Sequence, residues 1–367
     1  MFLSDHLFRF LLFFSALLFF SLTVSAGIVV GAPGDLTAIE SSTGNTILIY
    51  HRFGEGQYPT TNVAVDRFRE QMVYLRDNGY TVISLQELAT TLERGATPRE
   101  KSVVITIDDG YLSTYTEAWP ILKSFGFPFT VFIYVKGVDK RYRNFITWDQ
   151  IREMKEAGVD IQDHSYSHHR LGDRPAGMND QQYRQWIHDD LQKGAAIMTR
   201  ELGVKPGFFA IPYGEYNTLV IEEAKKLGYR AIFTQDPGSV SKDTDIHTIP
   251  REPILGNDWA SMAHFRMILE RVDLPVAEML PSIDPLTNTQ PTEFGARILY
   301  PERYKSGTLG IYVSELGWQK GLLENGYLSI PNTEHLTRRL NRVMISGIEK
   351  ESGRTAVRTW LLMKDVP

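Results

Sequence analysis

Cysteine is absent from all 367 residues. That excludes disulfide frameworks, thiolate metal sites, cysteine nucleophiles and iron–sulfur clusters, so any metal must rest on histidine and carboxylate ligands. No basic run stands out either, since 39 Lys+Arg face 44 Asp+Glu for a formal net charge of −5. A chain without a concentrated positive patch is a poor match for nucleic acid or polyphosphate held by bulk electrostatics. Beyond residue 26, no segment reaches the ~18 consecutive apolar residues needed to span a bilayer. A serine-nucleophile elbow, a P-loop and a dinucleotide fingerprint are also missing, which removes the enzyme classes built on them. What is present is an ordinary globular composition, 43% apolar and 23% charged. The length suggests about two domains.

Residues 1–26 carry Arg9, the apolar stretch Phe10 to Phe20, and Val24-Ser25-Ala26 ahead of Gly27. Val24 and Ala26 take the two specificity positions of a signal-peptidase junction, which predicts a secretory signal cleaved after Ala26. Asp5 offsets Arg9, so an uncleaved N-terminal anchor stays open beside it. Both readings place the mature protein outside the cytoplasm, periplasmic or secreted. Residues 27–45, rich in Gly, Ser and Thr, read as a linker. From 46 to 271 strand and helix patterns alternate: strands at Thr46 to Tyr50, Ser102 to Ile107, 128–135, 159–162, Phe208 to Ile211 and Tyr229 to Phe233, and helices between them. Thr147 with Gln150 forms a capping box and Gly158 a stop. One helix is expected near 114–125. Such alternation predicts an α/β fold of parallel strands with outer helices, a sheet or barrel whose chemistry gathers at the strand ends. From 272 to 367, Pro275, Pro281, Pro285 and Pro291 precede short alternating stretches, which predicts a small β-rich domain on a Pro-rich linker.

Two clusters carry candidate chemistry. Asp108-Asp109-Gly110 ends the most strand-like run in the chain, where a turn can bring both carboxylates into one cleft despite strand alternation. His164-Ser165-Tyr166-Ser167-His168-His169 follows another predicted strand. Two histidines four apart on a turn of helix face the same way, a spacing used to clamp zinc. Two His and one carboxylate supply three ligands and leave a position open, while a second carboxylate is free to act as base. Metal ions lower the pKa of bound water toward ~7, which makes this hydrolysis chemistry.

Ile105-Thr106-Ile107-Asp108-Asp109-Gly110 with His164-Ser165-Tyr166-Ser167-His168 resembles the first two motifs of the polysaccharide deacetylases (the NodB-homology group, carbohydrate esterase family 4). The resemblance covers about residues 45–255. It implies a NodB-like distorted (β/α) barrel over 46–271, with Asp108 as base and Asp109, His164 and His168 holding a divalent metal, most commonly zinc. His169 rivals His168, because some relatives space the pair by five. Phe209 to Gly214 resembles the third motif, R-x-P-Y, making Pro212 and Tyr213 a groove wall and giving the oxyanion a backbone N–H. Ala210 stands where that motif has its arginine, and Arg251 is the candidate cation for Asp108 instead. The usual Leu-His strand is missing from the end of the catalytic region. Ile47-Leu48-Ile49-Tyr50-His51 has its form near the start, as in the permuted branch that deacetylates poly-β-1,6-N-acetylglucosamine. His51 is therefore the candidate general acid, and Trp259 a candidate sugar-stacking residue. The implied function is metal-dependent removal of acetyl groups from N-acetylglucosamine units of a polysaccharide, a biofilm-type β-1,6 polymer before peptidoglycan or chitin. The missing arginine supports an alternative: a non-catalytic glycan-binding or export-assembly protein on the same fold. The C-terminal domain is a candidate contact to cell-envelope polysaccharide machinery.

Overall fold

The strand Ser102–Asp109 is buried at every position, as is Thr46–Tyr50. Their near-continuous β-branched and apolar runs suit strands covered on both faces, the environment of a parallel sheet. The computed structural model describes residues 44–364; the expected signal segment and nearly all of the expected linker lie outside the described residues. Seven strands run parallel in the order Glu252–Pro253, Thr46–Tyr50, Ser102–Asp109, Thr130–Ile133, Asp160–Asp163, Phe208–Ala210 and Ala231–Phe233. Thr81–Val82 adds a short parallel neighbour to Ser102–Asp109.

One segment joins the two edges of this sheet. Ile249 bridges Phe233 on one side, while Glu252 and Pro253 pair with Leu48 and Ile49 on the other. The sheet therefore curls closed into a distorted barrel. Strand alternation sorts the side chains: Ile47, Val104, Phe132, Phe208, Ala210 and Phe233 fill the interior, and Leu48, Ile105, Ile107, Val131 and Ile133 pack outward against helical residues such as Phe68, Met72, Leu122 and Met154.

Local chemistry sets the helix ends. Thr147 and Gln150 complete the expected capping box at Trp148–Glu156, and Asn179 with Gln182 forms another at Asp180–Leu202, which stops at the left-handed Gly203. The helix expected near 114–125 is in two parts. Thr114–Ala118 is π-helical and continues as α-helix over Trp119–Phe125. Pro120 has no N–H to continue an α ladder, and Trp119 N–H reaches back five residues to Thr114 O.

The C-terminal region is two sheets sharing one core. Val272–Asp273, Thr355–Met363, Leu340–Ile348, Gly310–Val313 and Gly317–Lys320 form one, and Val276–Leu280, Glu293–Ile298, Tyr327–Pro331 and Leu322–Glu324 the other. Phe294, Ile298 and Leu328 meet Ile311, Ile345 and Trp360 between them. The proline-punctuated stretch is thus not the expected free linker. Val272–Asp273 pairs with Thr355–Met363 and Val276–Leu280 with Glu293–Ile298, and Pro275 and Pro281 stand just outside the strands, where a missing N–H breaks no ladder. The described residues 44–364 all belong to one compact unit.

Candidate active site and metal centre

Alternation along Ser102–Asp109 turns Val104, Thr106 and Asp108 into the barrel and would send Asp109 outward. It does not, because Asp109 (φ 74°) and Gly110 (φ 77°) are left-handed. This reversal at the strand end brings both carboxylates to one cleft; aspartate is among the few non-glycine residues that visit that region readily.

His164 follows Asp160–Asp163, but residues 164–168 are not the expected turn of helix. They form an irregular loop with Ser165 at φ 67° and His168 at φ 55°. The physical cause is competition from side chains for the backbone: His168 N–H donates to Ser165 Oγ at 2.9 Å and Ser167 N–H to Asp190 Oδ1 at 3.1 Å. The imidazoles still converge. His168 Nε2 lies 3.0 Å and His164 Nε2 3.4 Å from Asp109 Oδ1, and ligand atoms of the three residues fall within 4.8 Å of one another. His164 Nδ1 sits 2.7 Å from Ala210 O. That carbonyl fixes the proton on Nδ1 and leaves the Nε2 lone pair facing the cluster. Among the described residues, His164 Nε2 is buried without a hydrogen-bond partner.

Electrostatics favour the same use. Burial pushes His164 down to about 4, so the ring is neutral, as a metal ligand must be. Burial alone would raise Asp109, but the adjacent His168, with His51 and His164, holds it well below the usual carboxylate range. Two imidazoles and one carboxylate, with the buried His164 lone pair aimed at the cluster, form a donor set that fits a divalent cation with an open position. His169 lies outside this set: it is exposed and its ring stacks on Trp186 at 5.6 Å.

Asp108 is fully buried beside the cluster and meets Arg251 in a fork, Nη1 to Oδ1 and Nη2 to Oδ2, both at 2.8 Å. Arg251 is equally buried and also donates to Thr106 Oγ1 at 3.1 Å and Thr234 O at 2.9 Å. Burial raises the Asp108 carboxyl, but the guanidinium and nearby imidazoles outweigh it and the group stays ionised, below its ordinary range. The segment that closes the barrel thus delivers the cation that Ala210 does not supply.

Asp109 and His168 open onto a cavity of about 520 Å³ that His51 and Tyr213 also line. His51 stands at the end of Thr46–Tyr50 and is 7% exposed. Tyr213, in a left-handed conformation (φ 59°), lays its ring 4.6 Å from His168 at the rim, and Pro212 is buried behind it. Trp259 sits apart from this cavity's lining. It lies in the short turn Asn257–Ala260 and packs on His264 at 5.1 Å. Sequence reasoning missed Tyr111, Tyr134 and Gln235, all on the cavity wall. Tyr111 directly follows the Asp-Asp-Gly turn, the one signal that pointed to it. It is held from outside by the Arg52 guanidinium, 3.3 Å from its ring centre.

The "Polysaccharide deacetylase" family model matches residues 95–232. The Bacillus subtilis (strain 168) protein YxkH, named for the polysaccharide deacetylases, is 30% identical over 205 residues, covering 56% of this chain and 69% of that one. The poly-beta-1,6-N-acetyl-D-glucosamine N-deacetylase of Escherichia coli (strain K12) is 32% identical over 232 residues, 53% of this chain but 34% of its own length. The chain thus spans about a third of that relative. Among solved structures, a de-N-acetylase from Aggregatibacter actinomycetemcomitans superposes with a TM-score of 0.53 at 26% identity, over 61% of this chain and 99% of that one. With its Asp-Asp-Gly strand end, paired histidines and curled parallel sheet, the chain belongs to the polysaccharide deacetylase family of hydrolases.

Proposed function

We propose that this protein is a metal-dependent N-deacetylase acting on N-acetylglucosamine units of a polysaccharide outside the cytoplasm, with zinc as the first candidate metal. The observation that carries this reading is a three-ligand cluster, Asp109, His164 and His168, next to a separate, fully buried carboxylate that is kept ionised by Arg251. A divalent ion held by those three residues would polarise the acetyl carbonyl and acidify the attacking water. Asp108, fixed by the Arg251 fork, is the base that takes the proton from that water as its oxygen bonds to the carbonyl carbon. The third-motif resemblance assigns the Tyr213 backbone N–H to the developing oxyanion. His51 gives a proton to the nitrogen as the C–N bond breaks, leaving acetate and a free amine on the sugar.

A β-1,6-linked polymer is the first substrate to try, supported by the permuted position of His51 and by the name of the Escherichia coli relative. The N-terminal apolar segment supports an extracytoplasmic location. The alternative of a glycan-binding protein without turnover rested on Ala210, and Arg251 now meets Asp108 in the place of that missing arginine. The test is acetate release from β-1,6- and β-1,4-linked N-acetylglucosamine oligomers by chelated and then metal-reconstituted protein. Metal-dependent release, faster on β-1,6, is expected. No release with zinc, cobalt, nickel or iron despite stoichiometric binding refutes the catalytic reading.

A further inference from the structure

The C-terminal β region reaches residues beside the cavity through two arginines. Arg339, just ahead of the strand Leu340–Ile348, donates to Glu215 Oε1 at 2.8 Å and lies 3.5 Å from Asp173. Glu215 is only 1% exposed and its Oε1 also receives Arg170, so two guanidinia share one buried carboxylate oxygen. It stands two residues after Tyr213. Arg170 in turn lies over the Tyr213 ring, 4.0 Å from its centre, and that ring lies 4.6 Å from His168. Arg342, within the strand, donates to Gln235 O at 3.2 Å. Gln235 lines the cavity, and its Cβ and backbone N would crowd a Cβ added at Gly214, at 2.7 and 3.0 Å. The loops carrying Tyr213 and Gln235 are therefore packed on each other and held from behind by one C-terminal strand.

Close packing leaves that contact little slack. A Cβ on Gly172 would meet Tyr216 N at 2.7 Å and Met363 Cε at 2.8 Å, so the loop after the histidines, the loop after Tyr213 and the last C-terminal strand converge at one point. Tyr213 has a further need for support, because a non-glycine residue at positive φ persists only where its surroundings over-determine it.

We propose that Arg339 and Arg342 are positioning residues through which the C-terminal β region sets the Tyr213 wall and Gln235 of the catalytic cavity. The inference rests on the deacetylase reading of that cavity and gives the C-terminal region a part in it. The region acts through Glu215 and the Gln235 carbonyl, without touching substrate.

The test uses the full chain, with Arg339→Ala, Arg339→Lys and, as a comparator, Val343→Ala, a truncation in the buried C-terminal core. Two readouts are taken: acetate release from β-1,6-linked N-acetylglucosamine oligomers, and amide hydrogen exchange over residues 211–217 and 234–236. Arg339→Ala is expected to lower kcat/KM by about tenfold, the scale of coupling through a packed network, at unchanged metal stoichiometry and with faster exchange in both segments. Arg339→Lys should recover most of both, while Val343→Ala lowers the melting temperature and leaves the kcat/KM of the folded fraction intact. The proposal is overturned if Arg339→Ala changes neither readout by twofold, or if its loss only follows the folded fraction as in Val343→Ala. If the wild-type protein releases no acetate, the deacetylase reading fails by itself, and exchange still decides whether Arg339 orders the 211–217 loop.

Discussion

Arg251→Ala is the sharpest perturbation the structure offers, because it removes one half of an ion pair in which both side chains are fully buried. The attraction between the partners is not the quantity at stake. Breaking such a pair leaves a carboxylate without its counter-charge in a dry interior, which typically costs about 3–5 kcal/mol. Replacing both partners by apolar groups of similar volume is often neutral. Arg251→Ala should therefore lose about 3–5 kcal/mol in urea unfolding, and Arg251→Met with Asp108→Leu should recover much of it. Arg251→Lys should fall between, since an ammonium restores charge but not the two-pronged geometry. The pH dependence has a definite sign. In the wild type Asp108 is held below its ordinary range, so its contribution is present above the unfolded pKa and lost as pH falls through the folded value. Without Arg251, burial dominates and the carboxyl rises above its unfolded value. The deficit of the variant should then be largest near neutrality and shrink as the pH falls through that raised pKa. Turnover should drop by about 10²-fold or more, the usual worth of a positioned base, with one metal still bound. An Arg251→Ala protein within about 1 kcal/mol of wild type, or with kcat within threefold, would refute the reasoning, since buried unpaired carboxylates cost more than that.

Asp109→Ala and His164→Ala should each abolish binding of one equivalent of metal, read by elemental analysis after gel filtration, whereas His169→Ala should leave it unchanged because that ring packs on Trp186. Asp108→Asn should keep the metal and lose turnover in the acetate assay; retained activity would end its assignment as base. Glu315 accepts Thr337 N–H and Oγ1–H, Arg338 N–H and Asn341 Nδ2–H. Burial acts upward on Glu315, but these bonds win and bring it from 4.5 down to about 2. Its contribution is therefore present above pH 4.5 and lost as the pH falls toward about 2. Glu315→Gln should cost about 1 kcal/mol at neutral pH and nothing at the acid end, as measured by urea unfolding at several pH values.

What was legible in the sequence was what neighbours in sequence decide. The strand ending at Asp108-Asp109-Gly110 announces itself by β-branched residues and a terminal glycine. The box at Thr147 and Gln150 needs only four consecutive residues. What failed depended on contacts from far away. The histidine spacing read as helix, but Asp190, 23 residues beyond Ser167, takes the N–H that a helix would have used. The prolines after residue 272 read as a linker, because nothing local says that Val272–Asp273 pairs with a strand some 80 residues on. Trp259 was singled out as an aromatic in a loop, and the structure packs its ring on His264. Gln235 gave no signal at all.

Ala210 and Arg251 raise one further question, whether the cation beside Asp108 must come from a particular strand. In a closed barrel it need not. Ala210 points into the same interior cluster as Phe132, Phe233 and Ile249, and Arg251 enters from the segment that closes the sheet, its guanidinium 5.2 Å from the Phe132 ring centre. The two positions therefore look onto one volume, which the fully buried Arg251 side chain already occupies. Ala210→Arg in the wild type should overpack that volume and place a second guanidinium in a dry site, costing about 1–3 kcal/mol from packing alone. The same substitution in the Arg251→Ala background fills the space left behind and restores a positive charge to Asp108. The double variant is expected to be more stable than Arg251→Ala and to regain part of its acetate release. If it is no better than Arg251→Ala in either measurement, the interior does not treat the two positions as equivalent, and the strand that supplies the arginine matters as well as its charge.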